Sequence, residues 1–243
     1  VFDKRDEIGG NLHVAKKPPF KGKFEWAIDY YKSMAKKLNI TMKLGKEVTA
    51  QEVLALKPYS ILVATGSNVI SIPLEGLDQV QTVQAHDVLA NDMQFANKKV
   101  VVIGGGITGL ETALYINRQS TNQVSVVDML PEWPVDMLDM RYQNEALLEV
   151  RHCNDQGVAL FYNNKVVKFA DGKLFIESTK DGEVKELPAD VIVLSVGVKP
   201  NDALWQELLA SGHPSVWKAG DAIATGKINK AVLHGSKFGY SLS

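Results

Sequence analysis

The sequence predicts an α/β fold built on covered parallel sheet, and three observations carry that expectation. Short β-branched apolar runs recur along the 243 residues, segments with helical periodicity separate them, and one run leads straight into a glycine loop that opens a helix. In chain order, Phe24 to Leu38 comes first. It sets Trp26, Ile28, Tyr30, Tyr31, Met34, Ala35 and Leu38 at broadly helical spacing, so the aromatic residues read as packing. Ser60-Ile61-Leu62-Val63 is a buried strand ended by small residues. Val100-Val101-Val102-Ile103 is a second, followed by a helix over Thr108 to Arg118. Val124-Ser125-Val126-Val127 is a third strand, and Tyr142 to Gln156 a further helix. Lys165 to Leu187 reads as an antiparallel patch, with Asp171-Gly172 and Asp181-Gly182 as hairpin-turn signals. Val191-Ile192-Val193-Leu194 closes the series as a fourth buried strand.

Composition narrows the function classes. The 27 Lys+Arg against 28 Asp+Glu give a net charge of −1, so the electrostatic footprint of a nucleic-acid binder is missing. No apolar run approaches the ~18 residues of a membrane span, and Val-Phe-Asp-Lys-Arg has no signal-peptide pattern. The expectation is a cytoplasmic protein with neither nucleic-acid nor membrane partner. Cys153 is the single cysteine, which excludes an intrachain disulfide, a Cys-x-x-Cys redox pair and a four-cysteine iron–sulfur site in these residues. His152-Cys153 has no further cysteine near it, so no metal site is expected. His86 before Asp87 reads as a helix start, and Lys16-Lys17 and Lys36-Lys37 as solvated charges.

The stretch from Lys98 to Asp128 carries the most chemistry. A strand runs into Gly104-Gly105-Gly106-Ile107-Thr108-Gly109, a helix opens at once, and a second strand ends in Asp128, 19 residues beyond Gly109. Gly104 permits the tight turn, Gly106 lets a pyrophosphate approach the backbone, and Gly109 allows close packing of helix on strand. Ile107 and Thr108 place their N–H groups at the helix start, where unpaired donors and the dipole favour phosphate. Asp128 stands where an acid hydrogen-bonds the adenosine ribose 2′-hydroxyl. A carboxylate there repels a 2′-phosphate, and Met129-Leu130 supply no arginine, so NADH is expected rather than NADPH. The other reading is a merely structural glycine turn.

Two further segments resemble each other: Ile61-Leu62-Val63-Ala64-Thr65-Gly66 and Val193-Leu194-Ser195-Val196-Gly197. Each is a buried strand entering a small-residue turn, and each follows an acid, Asp3 or Asp128, at similar distance. This suggests two related nucleotide-binding units. Asp128 follows Gly104 by 24 residues, and the same offset from Asp3 falls before Val1. The expectation is a fragment whose first unit lacks its opening strand and glycine loop.

With these motifs in view, nearly the whole chain resembles the FAD/NAD(P)-binding part of the flavoprotein pyridine nucleotide oxidoreductases. The likeness is to the C-terminal region of NADH:flavin oxidoreductases of the 2,4-dienoyl-CoA reductase and 2-enoate reductase type. Asp3-Lys4-Arg5-Asp6-Glu7-Ile8-Gly9-Gly10, with Pro18-Pro19-Phe20-Lys21 beyond, is similar to that family's FAD-ribose acid and Gly-Gly loop. Ala64-Thr65-Gly66 is similar to its mid-domain turn, and Gly104 to Ala113 to its NAD loop, including Glu111 two residues after the last glycine. Gly197-Val198-Lys199-Pro200-Asn201 and Ala219-Gly220-Asp221-Ala222 are similar to its two late motifs.

The resemblance implies two Rossmann-like three-layer domains, with an NAD-binding domain (residues 89–195) inserted into a truncated FAD-binding domain (1–88 and 196–243). It implies that FAD is bound through Asp3, Gly9, Gly10, Ala64, Thr65, Gly66, Gly220 and Asp221, with Asp221 on the ribityl chain. Glu111 and Gly197 would orient the nicotinamide. Hydride would pass from NADH to FAD with no side chain acting as catalytic acid or base. A preceding barrel of the same polypeptide, carrying FMN and an iron–sulfur cluster, would then reduce an enoate or dienoyl-CoA, and the isolated fragment is expected to be inactive. An oligomer is compatible with all of this. Plainer readings stand beside each assignment: an exposed acid for Asp3, plain turns for Gly9-Gly10 and Gly197, a helix N-cap for Asp221 and a surface helix residue for Glu111. The alternative function is a non-catalytic module holding an adenine nucleotide as a structural ligand.

Overall fold

The computed structural model of the chain describes residues 1–131 and 140–242. Its helices are α1 (Leu12–Ala15), α2 (Phe24–Lys37), α3 (Ala50–Ala55), α4 (Ala85–Ala90), α5 (Ile107–Asn117), α6 (Met140–Asp155), α7 (Ala203–Ala210) and α8 (Ile228–Ser241). Its strands are β1 (Ile61–Val63), β2 (Ser67–Val69), β3 (Gln81–Gln84), β4 (Lys99–Ile103), β5 (Gln123–Val127), β6 (Ala159–Phe161), β7 (Asn164–Ala170), β8 (Lys173–Ser178), β9 (Val184–Pro188), β10 (Val191–Leu194), β11 (Val198–Pro200) and β12 (Val216–Lys218). Two compact units result. One comprises Val1–Ile8, Ser33–Ile70 and Gly197–Ser243, and the other Gly9–Lys32 and Ser71–Val196.

The larger unit holds a parallel sheet in the order β3-β10-β4-β5-β6. Its central strands are valine and isoleucine runs because both faces are covered, so alternation would waste half of each strand. Val100, Val102, Val124, Val126, Val191 and Val193 face one way, onto Leu110, Ala113 and Leu114 of α5 and Val150 and Cys153 of α6. Val101, Ile103, Val127, Ile192 and Leu194 face the other way, onto Phe169, Leu174 and Ile176. The second cover is thus the antiparallel sheet β7-β8-β9 rather than a helix layer. Asp171 and Gly172 both take positive φ, as a two-residue hairpin turn demands. Asp181-Gly182 falls in a longer loop, where Gly182 takes the positive φ.

In the smaller unit β1 and β12 pair in parallel, and α3 and α7 pack on them through Ala50, Leu204 and Leu208. Thr49 starts α3 with a capping box. Its side chain accepts from the Glu52 N–H while the Glu52 carboxylate accepts from the Thr49 N–H. β2 and β11 form a separate antiparallel ribbon.

Three details differ from the sequence reading. Residues 9–32 and 71–88, placed by sequence with the first domain, group with the larger unit. The physical reasons are that β3 pairs with β10, and that Lys17 and Lys21 form ion pairs with residues of that unit. The aromatic face of α2 is not its packing face: Trp26 and Tyr30 are 69% and 58% exposed, and the buried stripe is Ile28 and Ala35. Lys16 and Lys17 are paired rather than simply solvated, Lys16 with Glu25 and Lys17 with Asp92, each at 2.5 Å. No helix among the described residues is long and apolar enough to cross a membrane.

Candidate functional site

β4 ends at Ile103, and the chain must turn at once into α5. Gly104 makes that turn at φ +108, where a Cβ would lie 2.3 Å from the carbonyl oxygen of Ser195. Gly109, in the first turn and a half of α5, would put a Cβ 1.9 Å from the Gly104 carbonyl oxygen. Glycine at these two positions is what seats the helix start against the strand ends. Gly106 is different. Its backbone is extended (φ −67, ψ 173) and a Cβ there would meet nothing within 4 Å among the described residues, which leave open space in front of it.

That space faces the N-terminus of α5, which has no side-chain cap. The first-turn N–H groups of a helix have no acceptor within it. Gly106 as N-cap, Ile107, Thr108 and the buried Gly109 therefore form a backbone cradle whose N–H groups can serve an anion. The site lies where β4 has β5 on one side and β10 on the other, the switch point at which open α/β sheets bind ligands. A dinucleotide pyrophosphate fits this donor set.

Asp128 follows directly on β5. Its Oδ2 accepts from the Gly105 N–H at 2.6 Å and its Oδ1 from the Leu130 N–H at 2.8 Å. Two backbone donors thus fix the carboxylate beside the loop, and its remaining lone pairs leave capacity for a ribose hydroxyl.

Glu111 projects from α5 with 13% of its side chain exposed and pairs with Lys21 Nζ at 2.9 Å. Lys21 also reaches Glu145 at 2.7 Å and lies 3.9 Å from Glu149, both on α6. Burial pushes the Glu111 carboxyl above its ordinary range, against the pull of Lys21. Burial acts to lower the Lys21 ammonium, yet its hydrogen bonds to Glu145 and Glu111 outweigh that and hold it above its usual value. His152 Nδ1 stands 3.6 Å from Glu149, and the His152 ring packs on Phe20 at 5.1 Å. Sequence placed Glu111 but missed Lys21 as its partner, since 90 residues separate them.

The smaller unit gathers other sequence-predicted positions. Ala64-Thr65-Gly66 follows β1 and is clasped by Asn201: the Thr65 hydroxyl donates to the Asn201 carbonyl, and the Asn201 N–H donates to Gly66 O at 3.0 Å. Gly197 precedes β11, with φ +97, and a Cβ on it would lie 4.0 Å from Ile70 Cδ1. Asp221 Oδ1 accepts from the Gly226 N–H at 3.0 Å and its Oδ2 from the Ser67 hydroxyl at 3.3 Å. It stands inside a short 3-10 turn whose N-cap is Ala219, so it is not itself the cap. Gly220 donates its N–H to His234 Nδ1 at 3.2 Å. Asp3 ends a parallel bridge between Phe2 and Lys43, and its carboxylate accepts from the Arg5 N–H at 2.9 Å. Gly9 and Gly10, in the larger unit, turn the chain into α1, both at positive φ.

No group of His, Cys, Asp and Glu among the described residues is arranged to hold a metal. Cys153 is fully buried, with its Sγ 3.9 Å from Leu110 O. Burial, then the Glu149 charge, pushes its thiol up to about 12. Cys153 is accordingly expected to resist a thiol reagent in the native chain and to react once denatured. Rapid labelling under native conditions would contradict the burial.

Residues 22–234 match the family described as pyridine nucleotide-disulphide oxidoreductase. The chain is 32% identical over 201 residues to a bilirubin reductase of Mediterraneibacter gnavus, covering 83% of this chain and 30% of that protein. It is 27% identical over 215 residues to a cinnamate reductase of Clostridium sporogenes, covering 86% and 30%. Among solved structures, a 2-naphthoyl-CoA reductase complex superposes with a TM-score of 0.87 at 27% identity, covering 98% of this chain and 35% of that one. The chain thus spans about a third of the length of these relatives.

Proposed function

The chain belongs to the pyridine nucleotide-disulphide oxidoreductase family, and from that premise we propose that it is the nucleotide-handling part of a flavin oxidoreductase fed by NADH. Domains of this family generally bind FAD and NAD(P)H. When bound, the nicotinamide supplies a hydride and the flavin accepts it, so the protein's task is to bind, orient and exclude water. The observation that carries the reading is the uncapped start of α5 behind an open Gly106, with Asp128 held beside it by the Gly105 N–H.

In this reading residues 89–195 are the NAD domain, joined in the same compact unit by residues 9–32 and 71–88, and the rest of residues 1–88 with 196–243 belongs to the FAD domain. Gly104, Gly106, Ile107, Thr108 and Gly109 hold the pyrophosphate, and Asp128 accepts from the adenosine ribose and disfavours a 2′-phosphate. Glu111 and Gly197 orient the nicotinamide. Asp3, Gly9, Gly10, Ala64, Thr65, Gly66, Gly220 and Asp221 are assigned to FAD. Their backbone turns suit close approach of a cofactor, although Asp221 already serves Gly226 and Ser67. The names of the relatives, a bilirubin reductase, a cinnamate reductase and a 2-naphthoyl-CoA reductase, favour an unsaturated acid or acyl thioester as the final acceptor. The family resemblance adds a further barrel domain, carrying FMN and an iron–sulfur cluster, as the place of that reduction.

Parallel calorimetric titrations with NADH, NADPH, ADP and FAD test the reading. NADH is expected to bind more tightly than NADPH and than ADP. Equal affinity for ADP and NADH would mean that the nicotinamide contributes nothing, and a structural adenine-nucleotide role would replace hydride transfer.

A further inference from the structure

Three neighbouring strands end in register: Leu194 of β10 pairs with Ile103 of β4, and Ile103 with Val127 of β5. The ladder runs one residue further on each side of β4. The Ser195 N–H donates to Ile103 O and the Gly104 N–H to Val127 O, both at 2.8 Å. Ser195, Gly104 and Asp128 therefore form one row along the C-terminal edge of the sheet, with the glycine turn in the middle. Side chains alternate between the two faces along a strand. Val191 and Val193 of β10 face α5, as do Val124 and Val126 of β5. Ser195 and Asp128 thus both project on the α5 side, one on each flank of the turn.

Ser195 is half-buried, and its hydroxyl has no hydrogen-bond partner among the described residues. It stands against the glycine loop, where a Cβ on Gly109 would lie 3.3 Å from Ser195 Oγ. Packing does not ask for that oxygen: what crowds Gly104 is the Ser195 carbonyl, which alanine would carry equally well. A dinucleotide has two riboses, one on each side of its pyrophosphate. With the pyrophosphate on the start of α5 and the adenosine ribose at Asp128 beyond β5, the second ribose lies on the β10 side of β4. We propose that the Ser195 hydroxyl hydrogen-bonds this second, nicotinamide-side ribose, as the counterpart of Asp128 across the turn. The inference rests on the reading of the α5 start as a dinucleotide site. A hydroxyl both donates and accepts, so it suits a ribose diol.

The test is calorimetry on the full chain with three ligands that grow by one group at a time: ADP, ADP-ribose and NADH. Ser195→Ala is expected to weaken ADP-ribose and NADH by the same factor, roughly fivefold, the worth of one neutral hydrogen bond, and to leave ADP unchanged. Ser195→Cys keeps the side-chain volume but offers only a weak donor, so it should lose as much as the alanine variant. Full affinity in Ser195→Cys would show that shape, not the hydrogen bond, matters at this position. An equal loss for all three ligands would put the hydroxyl on the diphosphate, and a loss for NADH alone would put it on the nicotinamide. No loss at all would leave Ser195 as a small packing residue. Each of these four results overturns the proposal while the NADH site stands. If Ser195→Ala does not fold, the cysteine variant decides on the same three ligands. A parent chain that binds none of the three would remove the nucleotide reading itself, and the proposal with it.

Discussion

Gly109→Ala is expected to destabilise the chain, while Gly106→Ala, three residues earlier, is expected to leave stability nearly unchanged and to impair nucleotide binding. At Gly109 the added Cβ would lie 1.9 Å from a backbone oxygen, that of Gly104, so α5 must move off β4 as a body. Overpacking of this kind costs roughly 1–3 kcal/mol, against a helix-propensity gain for alanine over glycine of about 1 kcal/mol. The obstruction is main chain rather than a flexible side chain, so the steric cost wins. A loss of that size lowers the melting temperature by several degrees in a chain of this length. At Gly106 the Cβ meets nothing within 4 Å among the described residues and φ is −67, so stability should stay within about 0.5 kcal/mol. The methyl group would instead occupy the space assigned to pyrophosphate. Thermal melts and calorimetry on the two variants separate the roles. A stable Gly109→Ala chain would mean that α5 is not seated as described, and full NADH affinity in Gly106→Ala would place the phosphates elsewhere.

Asp128→Ala is expected to weaken NADH binding by about 1.5–3 kcal/mol, roughly tenfold to a hundredfold, the worth of a hydrogen bond to a charged group. ADP carries the same adenosine ribose and should lose affinity by the same factor. NADPH should lose less, because the repulsion of its 2′-phosphate disappears with the carboxylate. The variant also leaves the N–H groups of Gly105 and Leu130 without their acceptor, so some loss of stability accompanies it. Unchanged affinity for both NADH and ADP would remove Asp128 from the ribose.

The parallel strands β1, β4, β5 and β10 were legible because runs such as Val100-Val101-Val102-Ile103 admit no other economical burial. Helices α2, α5 and α6 were legible from their spacing and begin and end within about two residues of expectation. β6 and β12 were not: Ala159–Phe161 and Val216–Lys218 are three-residue strands whose pairing partners, β5 and β1, lie far away in sequence. The ribbon of β2 and β11 escaped for the same reason. The aromatic face of α2 misled because Trp26 and Tyr30 share a spacing that fits a packed stripe, while the smaller Ile28 and Ala35 take the buried side.

Local chemistry explains what the sequence could determine by itself. A glycine loop between a β-branched strand and a helix, followed at the right distance by an acid, is a short-range pattern. The α/β class follows from it, and Gly104, Gly106, Gly109 and Asp128 could be named from it as candidates for the nucleotide. The tertiary structure decided what long-range pairing controls. It set the antiparallel sheet as the second cover of the core, the clasp of Asn201 on Ala64-Thr65-Gly66, and the capture of Glu111 by Lys21. An ion pair across 90 residues leaves no periodicity for a sequence to display. It exists only because packing α5 against α6 buries carboxylates that then require a cation, and the turn at Phe20 delivers one.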